Sequence, residues 1–312
     1  MTSKLFLTHL AALDQTPADC EFGRKAELLF AERRLEQYCD TLEVKHVSRS
    51  LPKLVALQVK IYALDQYFEA NWDLSRHVLQ GLWRSIIKAA TEITRDRETA
   101  NRLLDDIRRY QELEVELRRE RHAEDCPGFV SAQFGVVDSG SLYGRYKLKT
   151  CDVRLARRLV AQQAPRVDPL VMRAWDLFDI ISECCDDLND WGEDLPTYNG
   201  NQFICLVTRK RESIRVFGEY EHLLRALGSD LQIIEAAVGP RHRAGSVVAL
   251  TGSRLDSLRE LIHEFEKHEG AIIEDCLGGA LAAQQTAGEP SALIPFTEGL
   301  VGARCPCESL LR

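Results

Sequence analysis

The chain is poor in the residues that interrupt helices. Its 312 residues include 19 glycines and 10 prolines, about 9% of the sequence, against roughly 12% in an average protein. Hydrophobic residues make up 45% and charged residues 28%, as in ordinary globular proteins, which excludes a disordered chain or a fibre. So few turn residues favour long helices over many short strands.

Other absences narrow the class of protein. No stretch approaches 18 uninterrupted apolar residues, so we expect no membrane span. The 40 basic and 48 acidic residues give a net charge of −8, which argues against a nucleic-acid partner. Asp14 and Asp19 interrupt any apolar signal segment, and none of the ten cysteines is spaced as a CxxC pair. We therefore expect a cytoplasmic protein with reduced thiols and no zinc ribbon.

Helical periodicity extends over most of the sequence and predicts one all-α domain at 17–285. A short N-terminal segment (1–16) precedes it, and an irregular C-terminal tail (286–312) follows. Pro52 is typical of a first helical turn. The apolar residues after it step by three and four along one helix face: Leu54, Leu57, Ile61, Leu64, Phe68 and Trp72.

The rest of the pattern predicts further helices. We expect helices over 75–94, 96–122 (charged and solvated), 127–149 (interrupted by Gly140 and Gly144), 200–210, 211–227, 229–238 and 246–283. Pro169 should open a long helix that ends near Leu195, before Pro196. Phe203–Val207 and Ser246–Leu250 have strand-like composition but are too short to build a sheet.

The long helix is unusually acidic. Between Ala174 and Thr208 there are eight acidic residues and no Lys or Arg. Five of them share one helix face: Asp179, Glu183, Asp186, Asp190 and Asp194. Like charges four residues apart destabilise a helix by about 0.2–0.5 kcal/mol per pair. Either solvent or arginines from neighbouring helices offset this repulsion, or the face holds a hard divalent cation such as Mg²⁺.

A second, smaller acidic cluster occurs earlier in the chain. Asp65, Glu69 and Asp73 are spaced by four residues, and no basic residue lies between Lys60 and Arg76. Two helices of this kind facing each other across an apolar cavity could hold Mg²⁺ ions and a diphosphate.

These two clusters resemble the metal motifs of class I terpene synthases, in the all-α isoprenoid synthase superfamily. The segment Asp186-Asp187-Leu188-Asn189-Asp190-Trp191-Gly192-Glu193-Asp194 is similar to the second motif of that family, with ligand positions at Asp186, Asp190 and Asp194. The segment Asp65-Gln66-Tyr67-Phe68-Glu69 resembles the first motif, with Gln66 in place of the second aspartate. The resemblance then implies Asp65 and Glu69 as the remaining metal ligands.

The resemblance also implies a fold and a reaction. The fold would be an antiparallel helical bundle around a central apolar cavity. Three Mg²⁺ ions would assist ionisation of a linear prenyl diphosphate, of C15 or C20 length, and the carbocation would cyclise. Arg145 and Lys147 are the implied diphosphate contacts. Arg241, Arg243 and Arg254 are the candidates to replace the Arg-Tyr pair of the family. The implied pocket aromatics are Tyr62, Phe68, Phe134, Trp175 and Phe178. A homodimer is left open.

Three alternatives remain at this point. The second motif also fits prenyltransferases that join isoprenoid diphosphates, although these normally have a fuller first acidic box. A di-iron site would use the Glu-x-x-His boxes at 43–46 and 260–263, together with two further glutamates. A non-catalytic helical scaffold would present the acidic face to a basic partner.

Overall fold

The computed structural model describes residues 17–44, 47–70, 75–112, 141–194, 200–210, 213–238, 242–268 and 272. These residues form α-helices joined by turns and contain no strand, which confirms the all-α class. The expected terminal segments 1–16 and 286–312 lie outside them. The helices are α1 Pro17–Glu32, α2 Leu35–Thr41, α3 Val47–Ala70, α4 Arg76–Thr94, α5 Arg97–Leu103, α6 105–112, α7 Leu142–Lys149, α8 Cys151–Ala161, α9 Pro169–Asp194, α10 Gln202–Lys210, α11 Ser213–Ala237 and α12 Ala244–Lys267.

Helix α9 lies at the centre of the described core. It packs against α12 and α11, and also against α7, α8 and α10. Its start at Pro169 and its end at Asp194 confirm the long acidic helix that the sequence predicts. Its apolar stripe is buried: Trp175, Phe178, Ile181, Cys185 and Leu188. Since burial of such side chains drives folding, this stripe fixes which face of α9 the acidic residues occupy.

Helix α3 packs between α1 and α4 and also touches α8. Five of its six predicted core residues, from Leu54 to Phe68, are buried, and Trp72 lies outside the described residues. The placement of Pro52 in the first turn is wrong, because α3 already begins at Val47. Proline lacks the N–H that would bond to the carbonyl of Ser48, so α3 continues through Pro52 without that bond.

One other predicted boundary is also wrong. Helix α11 is continuous from Ser213 to Ala237, although Gly228 was expected to separate two helices. A glycine inside a helix costs about 1 kcal/mol relative to alanine, which does not suffice to end a helix that packs well on both sides. The strand-like segments Phe203–Val207 and Ser246–Leu250 are parts of α10 and α12, as the helices expected over 200–210 and 246–283 predict. Helix packing overrides their weak strand preference.

The charged segment that begins at residue 96 is less solvated than expected over its described part, 96–112. It forms α5 and α6, separated by a turn at Leu104, while 113–122 lies outside the described residues. Ala100, Leu104, Ile107 and Tyr110 are buried, so these helices pack against the core. Ser141 caps α7 by accepting a bond from the N–H of Gly144 at 3.1 Å. Gly144 therefore lies inside α7 and does not interrupt a helix, while Gly140 and the expected helical residues before it lie outside the described residues.

Among the described helices, none is both long enough and apolar enough to cross a membrane.

Candidate functional site

The first half of the acidic face of α9 is buried and ion-paired. Asp179 is completely buried, and Arg157 of α8 donates to both of its carboxylate oxygens at 2.6 and 2.7 Å. The guanidinium lies 4.3 Å from the ring centroid of Trp175 and 4.9 Å from that of Tyr38. The pair thus joins α8 to α9 inside an aromatic box.

Arg33 makes a second link to α9 from the junction between α1 and α2. Its Nη2 donates to Glu183 at 2.5 Å and to Asp186 at 2.7 Å, and its Nη1 donates to the carbonyl of Asp179 at 2.8 Å. Burial by itself lowers the pKa of Arg33, but the carboxylates of Glu183 and Asp186 outweigh it and raise that pKa. Arg33 therefore remains charged and spans two turns of α9.

Lys149 makes the third link, from the end of α7. Its Nζ forms ion pairs with Asp187 and, at 3.3 Å, with Glu183. Asp187 also accepts a bond from the backbone N–H of Gln202 at 2.7 Å. Burial raises the pKa of Asp187 to about 7, while the charge of Lys149 acts in the opposite direction.

Of the explanations that the sequence left for the acidic face, the structure shows pairing with basic residues in its first half. Basic residues from neighbouring helices neutralise Asp179, Glu183 and Asp187, as in the ion-pair alternative. Asp186, one of the expected metal ligands, is shared between Arg33 and Arg254 of α12, whose Nη2 lies 3.6 Å away. The second half of the acidic face differs in being more exposed to solvent.

The last turn and a half of α9 carries acidic side chains toward solvent. Asp190 and Glu193 are exposed, and Asp190 makes no ion pair with any residue in the described ranges. Partial burial, together with the negative charges of Asp186, Asp194 and Glu193, raises the pKa of Asp190 to about 6. Asp194 accepts a bond from the side-chain amide of Asn201 at 2.9 Å.

The residues of the first motif lie on α3. Asp65 is half-buried, and its charge acts on the neighbouring Tyr62 together with the charges of Asp152 and Glu183. Burial and these three carboxylates raise the pKa of Tyr62. Asp152 of α8 therefore belongs to the same acidic region, a residue that the sequence patterns did not indicate. The side chain of Glu69 lies outside the described residues.

The donor chemistry of this region suits Mg²⁺. Within the described ranges, no three His, Cys, Asp or Glu side chains form a group that could hold a metal ion by themselves. Mg²⁺, however, is usually bound by one or two carboxylates, several waters and the phosphates of a substrate. Asp186 and Asp190 are one turn apart on α9, and Asp190 faces solvent, so they match that requirement.

The basic residues near α9 are partly those that the sequence indicated. On α7, Arg145 is half-buried and Lys147 is exposed. Lys149, which the sequence reasoning did not single out, is the α7 lysine that reaches α9. Its spacing of four residues from Arg145 was the available signal.

The three candidates for a C-terminal basic residue have different environments. Arg254 approaches Asp186 at 3.6 Å. Arg243 forms a surface ion pair with Glu43 at 2.6 Å. Arg241 lies outside the described residues. Arg33 and Arg157 were also missed, and no sequence signal distinguished them, since their contacts join segments more than twenty residues apart along the chain.

The predicted pocket aromatics divide into core and partly exposed residues. Trp175, Phe178 and Phe68 are buried, and the rings of Trp175 and Phe178 pack edge to face with centroids 5.4 Å apart. Tyr62 is half-buried, with the Nζ of Lys25 5.0 Å from its ring centroid. Phe134 lies outside the described residues.

The structure does not bring together the two Glu-x-x-His boxes of the di-iron alternative. Glu260 and His263 are exposed on α12. The side chain of Glu43 is 56% exposed and pairs with Arg243, and His46 lies outside the described residues. The boxes therefore have no shared interior position among the residues described.

Comparison of this chain with protein families, curated proteins and solved structures found no match. The family resemblance accordingly depends on the two acidic motifs.

Proposed function

We propose that the protein is a class I terpene cyclase that uses Mg²⁺ to ionise a linear prenyl diphosphate and then cyclises the carbocation. In this proposal the described helices belong to a bundle of the isoprenoid-synthase type around an apolar cavity, and a C15 or C20 substrate is favoured. The proposal depends above all on Asp190. This exposed carboxylate lies among three other acids, and its own pKa is raised to about 6.

The environment of Asp190 argues against a simple solvated face. Asp179, Glu183 and Asp187 of the same helix each have a basic partner from outside α9. Asp190 instead has three acidic neighbours, Asp186, Asp194 and Glu193, whose charges raise its pKa. A divalent cation would relieve that repulsion, and it needs few protein ligands when phosphate and water complete its coordination.

The residues that would hold Mg²⁺ are Asp186, Asp190 and Asp194 on α9, with Asp65 and Glu69 on α3. Bound Mg²⁺ would neutralise the charge that develops on the departing diphosphate. The spacing of four residues places the three α9 carboxylates along one face, one turn apart.

Two arginines next to Asp186 have different roles in this proposal. Arg33 makes a 2.7 Å bond to Asp186 and is almost completely buried, so it orients that carboxylate. Arg254 stays 3.6 Å away, is about one-third exposed, and has a buried Nε without a partner. It therefore has donors left for the phosphate oxygens, for which guanidinium groups are well suited. Arg145 and Lys147 remain the other proposed contacts.

The buried ion pairs position the site. Arg157 holds α9 against α8 through Asp179, and Lys149 holds it against α7 through Asp187. Since breaking a buried pair leaves an uncompensated charge, these contacts resist rotation or sliding of α9. The carboxylates of its last turns are thereby fixed in direction before a ligand binds.

Apolar and aromatic side chains would enclose the cation. Tyr62 is the half-buried aromatic beside Asp65, and the face of its ring could stabilise positive charge by about 0.5–2 kcal/mol. Phe68, Trp175 and Phe178 would contribute the apolar surroundings that exclude water from the reacting chain.

The test uses the purified full-length chain with C10, C15, C20 and C25 prenyl diphosphates and Mg²⁺, with products identified by mass spectrometry. We expect cyclised products that disappear with a chelator. Asp190→Asn should lower turnover by about 10²–10³-fold, the usual cost of removing one electrostatic stabiliser. Glu193→Gln is the matched control, because it removes the same charge from the same turn, and it should retain turnover.

Three results would overturn the proposal: no product from any of the four substrates, product formation without Mg²⁺, or full activity in Asp190→Asn. A longer diphosphate formed when isopentenyl diphosphate is added would instead identify a prenyltransferase.

A further inference from the structure

Asn201, the residue immediately before α10, uses all of its side-chain hydrogen-bonding groups. It is completely buried. Its Oδ1 accepts bonds from the backbone N–H groups of Phe203 at 3.0 Å and Ile204 at 3.2 Å. Its Nδ2 donates to the carbonyl of Asp187 at 2.8 Å and to the carboxylate of Asp194 at 2.9 Å.

Capping of α10 explains only half of these bonds. An N-cap residue needs a side-chain oxygen, which Ser, Thr and Asp also provide. The two donors of the amide are directed at α9, one of them at a carboxylate. Of the favoured capping residues, only asparagine has an acceptor and two donors on one side chain. The choice of asparagine therefore connects the start of α10 to Asp194.

A neighbouring hydrogen bond also connects the start of α10 to α9. The backbone N–H of Gln202 donates to the carboxylate of Asp187 at 2.7 Å, and Lys149 holds the second oxygen of that carboxylate. Both carboxylate oxygens of Asp187 are thus bonded, and Asn201 is bonded to its carbonyl. The amide of Asn201 accordingly has a fixed position relative to α9, from which it can orient Asp194.

We infer that Asn201 is a positioning residue for the cation site, which holds the Asp194 carboxylate in the orientation that binds Mg²⁺. This inference rests on the proposed function, because Asp194 matters to it only as a metal ligand. Hydrogen bonds from outside the ligand shell orient the ligands, and their removal typically weakens metal binding by about 10–100-fold.

The test measures Mn²⁺ binding by electron paramagnetic resonance in the full-length protein, without any prenyl diphosphate. Asn201→Ser keeps a capping oxygen but removes the donor to Asp194, and it should weaken Mn²⁺ binding by about 10–100-fold. Gln202→Met is the matched control, because it changes the next buried side chain at the same corner and leaves the bond between Asn201 and Asp194 intact. It should bind Mn²⁺ like the wild type.

A double variant distinguishes positioning from a general effect on folding. In the Asp194→Ala background, Asn201→Ser should cause no further loss of Mn²⁺ affinity, since the ligand through which it acts is absent. An equal loss in both backgrounds would overturn the inference, and so would an unchanged affinity in Asn201→Ser. If the wild type binds no Mn²⁺, the metal site of the proposed function fails as well, which is a different result from either.

The wild-type protein supplies a second measurement in case Asn201→Ser does not fold. In ¹⁵N-asparagine-labelled protein, the side-chain amide resonances of Asn201 should shift as Mg²⁺ is added, because their acceptor then also binds the cation. Resonances that stay constant while Mg²⁺ binds would overturn the inference.

Discussion

Loss of the buried charge on Asp179 should be among the most destabilising changes in this protein. Asp179 and Arg157 are both completely buried and form two bonds of 2.6 and 2.7 Å. Asp179→Asn leaves the guanidinium charge in place without its counter-charge, which typically costs about 3–5 kcal/mol. With an unfolding entropy of about 2.1 cal/mol/K per residue, that loss lowers the melting temperature by about 5–8 °C.

Differential scanning calorimetry at pH 7 measures this shift. Asp105→Asn is the control, because Asp105 forms an exposed ion pair with Arg109, and exposed pairs contribute about 0–1 kcal/mol. The double change Arg157→Met with Asp179→Leu should recover most of the lost stability, since apolar side chains often replace buried pairs without loss. Equal melting shifts in Asp179→Asn and Asp105→Asn would refute the claim that the interior pair holds α8 to α9.

Three further predictions follow from the site and the core. The pKa of Asp190 is raised from 3.8 to about 6 in the folded protein, so its contribution to stability falls as the pH rises from about 4 to 6. Asp190→Asn should therefore melt higher than the wild type at pH 7 and equally at pH 3, and a lower melting temperature at pH 7 would contradict this. Arg254→Gln should raise the KM for prenyl diphosphate by about 10–100-fold, the usual value of a charged hydrogen bond, with little change in melting temperature. An unchanged KM would exclude Arg254 as a phosphate contact. The hydroxyls of Tyr146 and Tyr220 are buried and 2.8 Å apart, so Tyr146→Phe should cost about 1–3 kcal/mol in chemical denaturation, whereas a cost near zero would show that Tyr220 finds another partner.

The sequence predicted the helices best where their apolar periodicity is long. Two features were predictable: the buried face of α3 from Leu54 to Phe68 and the extent of α9. Apolar residues that recur every three or four positions lie on one side of a helix, and that side packs against the core. Boundaries set by single residues were not. Pro52 and Gly228 were expected to mark helix limits, and both lie inside helices that pack well enough to tolerate them.

The candidate site was predictable only in its acidic half. A face of carboxylates is visible in one segment of sequence, but its counter-charges come from remote segments. Arg33 is about 150 residues from Glu183 along the chain, and only the fold brings the two within 2.5 Å. Because ion pairs between helices leave no periodic signal, the sequence could not tell which carboxylates were already neutralised and which were not.

The contrast between the two ends of α9 also affects which amino-acid substitutions the protein can tolerate. Near Asp179 the buried side chains contact several others, so a single substitution there disturbs the packing of more than one helix. The turn around Asp190 and Glu193 lies at the periphery. Substitutions in that outer turn should therefore leave the helix packing beneath it intact.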